Sequence, residues 1–252
     1  MWEDGILRPR TTRALQLARD AGLHVIVVTG RMYRSVHRFL EPAQLPDPVI
    51  CYQGAAVVGP DGAWLRHEPI ELELARETIA ALAEEGCSPN VYVHDELYVA
   101  RVTQGAREYA EFQELEIHEA GDLLEWLAEP PTKLVCVGDP EWLDGLEVRM
   151  KQRFEGRLYI SKSLPYFLEF AAPDVTKAAG LEFLARRMGF NADETIAFGD
   201  GENDVELVAW AGYGVAVANA HDRVKEAARW ICPPASEEGV AQVLEALLDS
   251  GS

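Results

Sequence analysis

The sequence predicts an α/β fold, a doubly wound parallel (Rossmann-like) sheet with an inserted α+β domain, and three observations lead to it. Helix and strand patterns alternate at both ends of the chain. The strand runs at those ends are continuous and apolar, as strands covered on both faces are. The middle instead carries short paired strands between helices, the pattern of an open, partly antiparallel layer.

At the first end, Ala14, Leu15, Leu17, Ala18 and Ala21 recur at helical spacing, and Gly22 closes that helix. His24-Val25-Ile26-Val27-Val28 follows and is expected to be a buried parallel strand, stopping at Thr29-Gly30-Arg31. A second helix runs through Val36, Phe39 and Leu40 to Pro42. Residues 49–52 make a short strand, Gln53-Gly54 follow, and a hairpin turns at Gly59-Pro60-Asp61-Gly62. In the middle, a helix over 71–85 ends at Gly86, and strands over 91–93 and 97–99 flank Asp95-Glu96. A helical stretch over 105–112, an acidic segment and a strand over 133–137 come next. Asp139 as N-cap and Pro140 at the first helical position start a helix that runs to Phe154, before strands over 157–161 and 166–170. The last part alternates again: helix 177–188, strand 195–198, helix 202–211, strand 214–217, helix 222–228, strand 230–232 and a final amphipathic helix carrying Val240, Val243, Leu244 and Leu247. The simplest organisation is one α/β core interrupted by an inserted domain.

Acidic residues number 42 against 23 basic ones, a net charge of −19 that disfavours nucleic acid and anionic membranes as partners. A small anionic ligand needs a locally positive pocket, and most of the acid reads as solvated helix faces. The only lysines are Lys133, Lys151, Lys162, Lys177 and Lys225, so a lysine inside a motif is informative. Cys51, Cys87, Cys136 and Cys232 are far apart with no CxxC pair, so no zinc site or disulfide framework is expected. Cys51 and Cys136 lie in apolar runs and read as small buried hydrophobes, which fits a reducing cytoplasm.

Three places could carry chemistry. Phe198-Gly199-Asp200-Gly201-Glu202-Asn203-Asp204 sits where a buried strand gives way to a helix, the edge of a parallel sheet where ligands bind. Asp200 and Asp204 are one helical turn apart, and carboxylate and amide oxygens suit a hard cation such as Mg²⁺. The competing reading is an Asp-Gly turn with a helix cap. Val28-Thr29-Gly30-Arg31 offers a hydroxyl and backbone amides to a phosphoryl oxygen, or else is a strand-to-helix turn with a structural glycine. Lys177 opens a helix after Pro173-Asp174-Val175-Thr176, where an ammonium could offset phosphate charge or simply be solvated.

In this order and register, Thr29-Gly30-Arg31, Lys177 and Gly199-Asp200-Gly201 with Asn203-Asp204 resemble the haloacid dehalogenase-like phosphatases, in their large-cap (Cof-type) branch. Trp210-Ala211-Gly212, Val215 to Ala220 and Glu238-Gly239-Val240-Ala241 extend the resemblance almost to the C-terminus. It implies a Mg²⁺-dependent phosphatase of small phosphorylated metabolites, working through an aspartyl-phosphate, with residues 1–71 and 172–252 as the core and the insertion, residues 72–171, as a cap over the site. By position, Thr29, Gly30 and Arg31 would bind the phosphoryl group and Lys177 would neutralise charge. Asp200 would ligate Mg²⁺, Asp204 would ligate it or orient its waters, and Asn203 would contact substrate or hold the loop. A non-catalytic phosphate-ligand binder and a sugar phosphomutase on the same fold are the alternatives. Gln53 stands where the branch usually has Asn, and Ala178 where Gly usually follows the lysine. Tyr92, His94 and Tyr98 are candidates for the substrate-facing side of the cap.

The family's first motif, DxDGT, has no counterpart. Glu3-Asp4-Gly5-Ile6 has no apolar run before it, and Asp4 to Thr11 resembles the linker that normally follows the motif. The resemblance thus places the nucleophile's strand upstream of Met1, and an N-terminally truncated product is the favoured reading. That strand would lie mid-sheet, between the strands ending at Val28 and Phe198. Without it two edges lack partners, so the chain is expected to be poorly stable or to have another segment or partner fill the gap.

Overall fold

The computed structural model describes residues 7–250. Helix α1 (Pro9–Asp20) buries Ala14, Leu15 and Ala18, and Gly22 ends its turn at φ +88°. Helix α2 (Tyr33–Ala43) precedes strands β1 (Val49–Cys51), β2 (Ala56–Val58) and β3 (Trp64–His67), which form an antiparallel sheet in that order. The last third supplies β10 (Ile196–Gly199), β11 (Tyr213–Val217) and β12 (Trp230–Cys232), a parallel sheet in sequence order. Around it lie α7 (Lys177–Met188), α8 (Val205–Trp210), α9 (Asp222–Ala227) and α10 (Gly239–Ser250). Thr176 caps α7 with its side chain on the Ala179 amide, and Gly189 ends it in a left-handed conformation.

The middle of the chain folds as a six-stranded sheet in the order β6-β5-β4-β7-β9-β8. Its strands are β4 (Asn90–Val93), β5 (Glu96–Val99), β6 (Ile117–Glu119), β7 (Lys133–Val137), β8 (Tyr159–Leu164) and β9 (Phe167–Ala171). Every pairing is antiparallel except β5 with β6. The strand β6 arises inside the acidic segment, where the sequence carries no strand pattern. Helices α3 (Leu72–Glu84) and α6 (Pro140–Arg153) bury Ile79, Leu82, Leu143 and Leu146 with Leu134, Leu168 and Phe170 on one face of the sheet. The other face, with Tyr92, Val135 and Phe167, shares a core with Val27, Met32, Val36 and Tyr52. That face therefore lies against the α/β part of the molecule. Helices α4 (Gln104–Gln113) and α5 (Leu123–Trp126) complete this layer.

The parallel sheet is in two pieces. Residues 24–28, expected as a regular buried strand, make one parallel bridge among the described residues, Val28 to Ile50, with Thr29 N donating to Ile50 O at 2.8 Å and Ile50 N to Val27 O at 2.9 Å. Strand β10 pairs with β11 alone among the described residues. Each run thus has a ladder on one side and none on the other. The consequence shows in burial: Val25, Ile26, Val28, Ile196 and Phe198 are only half-buried, although all are strand-forming apolar residues. Ile26, Val28 and Ala197 pack with Leu181 and Leu184 of α7, while Val25, Ile196 and Phe198 pack in the cluster containing Ala14 and Leu244. Helices on both faces bridge a slot that no strand among the described residues fills. All four cysteines are buried free thiols.

Candidate active site

Three turns converge at the carboxyl ends of the two sheet pieces. The first is Thr29-Gly30-Arg31, where the Thr29 hydroxyl oxygen accepts from Arg31 N at 3.1 Å and Arg31 reaches Ser35 Oγ at 3.2 Å. The second, Tyr52-Gln53-Gly54, has positive φ at all three residues: +52°, +59° and +106°. Such a run in non-glycine residues is costly and is held here by its surroundings. Gln53 N donates to Thr29 O at 3.1 Å, and Tyr52 N to Arg31 O at 3.0 Å. A Cβ on Gly54 would lie 2.0 Å from Thr176 O, so only glycine lets this turn meet the start of α7. The third turn runs from Asp200 to Asp204, with a single 3-10 turn at Glu202–Asp204 before α8.

Side chains tie these turns together. Asn203 donates from Nδ2 to Gln53 Oε1 at 2.9 Å, across the slot between the sheet pieces. Gln53 also lies against Gly30, where an added Cβ would be 2.4 Å from its Nε2. Lys177 Nζ is 2.5 Å from Asp204 Oδ1, and Asp204 Oδ2 accepts from the amides of Asp200 (3.0 Å) and Gly201 (3.2 Å). Burial acts to raise the Asp204 carboxyl, but the Lys177 charge and these hydrogen bonds hold it below its ordinary value. The Asp200 carboxyl moves the other way, raised first by desolvation and then by the Asp204 charge. Asp200 as a residue is open to solvent, so the carboxyl sits in a recess of protein atoms with water still at hand. Its backbone oxygen accepts from His221 N at 2.8 Å, and the His221 side chain N-caps α9 by accepting from Arg223 N.

The arrangement presents one accessible carboxylate (Asp200), one buried ammonium (Lys177), one hydroxyl (Thr29) and an amide (Asn203) around the strand ends. No cluster of three His, Cys, Asp or Glu side chains able to hold a metal occurs among the described residues. The donor set therefore fits a hard cation only in part: Asp200 is available, while both oxygens of Asp204 already have partners. Asp4, the aspartate ahead of α1, lies outside the described residues.

Residues 2–244 match the model of the haloacid dehalogenase-like hydrolase family. The chain belongs to that family. Among relatives of this hydrolase are the 5-amino-6-(5-phospho-D-ribitylamino)uracil phosphatase YitU of Bacillus subtilis and a phosphoglycolate phosphatase of Archaeoglobus fulgidus. The first is 26% identical over 96% of this chain and 92% of the relative. The second is 27% identical over 97% and 93%. A crystal structure of a haloacid dehalogenase-like hydrolase from Bacteroides thetaiotaomicron superposes with a TM-score of 0.87 at 25% identity, covering 96% of this chain and 93% of that one.

The structure brings Thr29, Gly30, Lys177, Asn203 and Asp204 into one bonded group around Gln53 and the 200–204 loop. Of the three candidates in the middle domain, only Tyr92 faces this hydrolase's α/β part, with its ring 5.8 Å from that of Tyr52. His94 is exposed and pairs with Glu129 at 3.0 Å, and Tyr98 stacks near Trp126 at 4.5 Å. Sequence reasoning missed Asp95, Lys133 and Glu169. Asp95, at the β4–β5 turn, accepts from Tyr33 N (3.0 Å), Arg34 N (2.7 Å) and Tyr52 Oη (2.7 Å), capping α2 from the other domain. Lys133 reaches Gly30 O and Glu169 Oε2, both at 3.2 Å. Charged residues inside otherwise apolar strands, KLVCV and FLEFA, were the available signal.

Proposed function

We propose that this hydrolase is a Mg²⁺-assisted phosphatase site of small phosphorylated metabolites, lacking its nucleophilic carboxylate among the described residues. The observation that carries the reading is the Lys177–Asp204–Asp200 arrangement beside Thr29, bonded through Gln53 and Asn203. Thr29 and Gly30 hold the phosphoryl oxygens, with Arg31 fixing the turn. Lys177 keeps Asp204 ionised and in place, and its ammonium offsets charge that gathers on the phosphoryl group. Asp200 supplies a carboxylate oxygen to the cation. Asp204, with both oxygens engaged, orients rather than ligates. A bound Mg²⁺ would supply charge neutralisation at the phosphoryl oxygens.

The nucleophile belongs on a strand filling the slot between residues 24–28 and β10, whose carboxyl end would meet Thr29, Lys177 and Asp200. Residues 72–171 act as the cap, lying with one sheet face over the site. The curated relatives' names point to small phosphorylated substrates, but one names a ribitylamino compound and the other phosphoglycolate, so kinship leaves the leaving group open. A cytoplasmic setting fits the four free, buried thiols. The test is Mg²⁺-dependent binding of inorganic phosphate to the chain by calorimetry, with Lys177→Met as control. Binding that needs both Mg²⁺ and Lys177 supports the reading; phosphate binding indifferent to both removes it.

A second reading, a phosphate-ligand binder without turnover, shares every contact above, and the slot that no described strand fills is the observation that favours it.

A further inference from the structure

Resting on that reading of the site, we propose that Asn90, Lys133 and Glu169 form a wall of the cap that reads an uncharged, hydroxyl-bearing leaving group and rejects a second anionic one.

Of the chain's five lysines, Lys133 and Lys177 are buried; Lys177 pairs with Asp204, and Lys133 reaches the phosphoryl turn itself. Lys133 lies on β7, with Nζ 3.2 Å from Gly30 O and 3.2 Å from Glu169 Oε2, and its side chain is 6% exposed. Its ammonium also lies over the rings of Tyr92 (5.0 Å) and Tyr52 (5.7 Å). Glu169 is the one charged residue of β9, a strand buried throughout. A buried ion pair of this kind is a weak source of stability, because apolar residues of similar volume hold a sheet as well or better. Its place beside Gly30 gives it another use.

The third group makes the case. Asn90 faces Val135 across the β4–β7 ladder, and Val135 faces Glu169 across β7–β9. Directly opposed residues share a face, so Asn90, Val135 and Glu169 form one row on the side of the sheet turned to the site. Asn90 is 6% exposed, and its Nδ2 has no hydrogen-bond partner among the described residues. A buried donor left unsatisfied is costly and calls for an occupant. An amide donor, a carboxylate acceptor and an ammonium donor on one face are complementary to adjacent hydroxyls, each of which both donates and accepts. The wall has no net charge. A carboxylate or second phosphate on the leaving group would meet Glu169 in a poorly solvated place, and like charges there repel strongly. The leaving group takes the position on Lys133 that Gly30 O holds in this structure.

The experiment is calorimetric titration of the full chain with Mg²⁺ and three probes: inorganic phosphate, sorbitol 6-phosphate and phosphoglycolate. Sorbitol 6-phosphate is expected to bind about tenfold or more tighter than phosphate, the scale of one or two hydrogen bonds to charged groups, and phosphoglycolate no tighter than phosphate. Asn90→Val should leave phosphate affinity unchanged, hold or raise the melting temperature by removing the unsatisfied donor, and weaken sorbitol 6-phosphate several-fold. Glu169→Gln should erase most of the sorbitol gain and tighten phosphoglycolate. If that variant folds poorly, Lys133→Gln/Glu169→Gln, which leaves no unpaired charge, carries the same expectation. A strut between cap and core would instead move phosphate and sorbitol 6-phosphate by the same factor. That outcome, or native preference for phosphoglycolate, overturns the inference while phosphate binding stands. Loss of Mg²⁺-dependent phosphate binding in the native chain overturns the site reading and this inference together.

Discussion

Lys177 Nζ and Asp204 Oδ1 are 2.5 Å apart and both residues are buried, joining the first turn of α7 to the loop after β10. Among the described residues each partner is the other's only ion pair, so removing one strands the other. Lys177→Met is expected to destabilise the fold by roughly 3–5 kcal/mol, the usual cost of an orphaned buried charge. The double variant Lys177→Met/Asp204→Asn should lose less than the sum of the single changes. Urea unfolding of the four proteins of this cycle measures the coupling. Additive losses would mean that the pair is not coupled.

Gly54 is expected to tolerate no side chain. Its φ of +106° and the 2.0 Å approach of a Cβ to Thr176 O combine a disfavoured backbone with a backbone clash. Gly54→Ala should cost at least about 1–3 kcal/mol from the backbone alone, and more from displacement of α7. Thermal unfolding checks this, with Gly62→Ala as a comparison: Gly62 has φ +81° and no atom within 4 Å of the added Cβ. Equal losses at the two sites would remove the role assigned to the Gly54–Thr176 contact.

Asp95 joins the two parts of the molecule through three hydrogen bonds to Tyr33 N, Arg34 N and Tyr52 Oη. Asp95→Ala should free the first turn of α2 and the Tyr52 hydroxyl, with a loss of about 2–4 kcal/mol for several buried donors left without a partner. Hydrogen exchange at the amides of Tyr33 and Arg34 reads this directly, and their protection should collapse. Unchanged protection would show that the cap does not hold this helix end.

Acid should weaken cation binding earlier than an ordinary aspartate would. The Asp200 carboxyl is raised by desolvation and by the Asp204 charge, and Mg²⁺ binds the deprotonated form. As pH falls toward that raised value, protons displace the cation, at up to about tenfold in affinity per pH unit for one proton. Mg²⁺ titrations from neutral pH downward should show the loss beginning above the ordinary aspartate value of about 3.9. A flat profile down to that value would take Asp200 out of the cation site.

The motif residues were legible because each sits at a strand end next to a helix start, a local pattern. Thr29, Lys177 and Asp200 to Asp204 are read within windows of a few residues. Gln53, Asp95, Lys133 and Glu169 were not, because their partners lie far along the chain: Asn203 is 150 residues from Gln53, and Gly30 is 103 from Lys133. Nothing local distinguishes a buried lysine awaiting a glutamate on the next strand from one that snorkels to water. The helix expected over residues 202–211 begins instead as a 3-10 turn, because the Asp204 carboxylate is drawn back onto the amides of Asp200 and Gly201. Residues 24–28 show the opposite case. Their composition is that of a central strand, yet among the described residues they make a single bridge, to Ile50 of β1.

That slot leads to the most direct test. Mg²⁺-dependent hydrolysis of p-nitrophenyl phosphate should be measured for residues 1–252 alone and for the same chain preceded by an apolar strand ending in Asp-x-Asp-Gly-Thr. On the proposed reading, which puts the nucleophile on that strand, the chain alone is expected to show little or no turnover, since loss of a covalent nucleophile typically costs on the order of a million-fold. The extended protein is expected to hydrolyse the substrate readily, with a higher melting temperature as the two sheet pieces gain their shared strand. Robust turnover by residues 1–252 would contradict the account and make Asp4 the first carboxylate to replace.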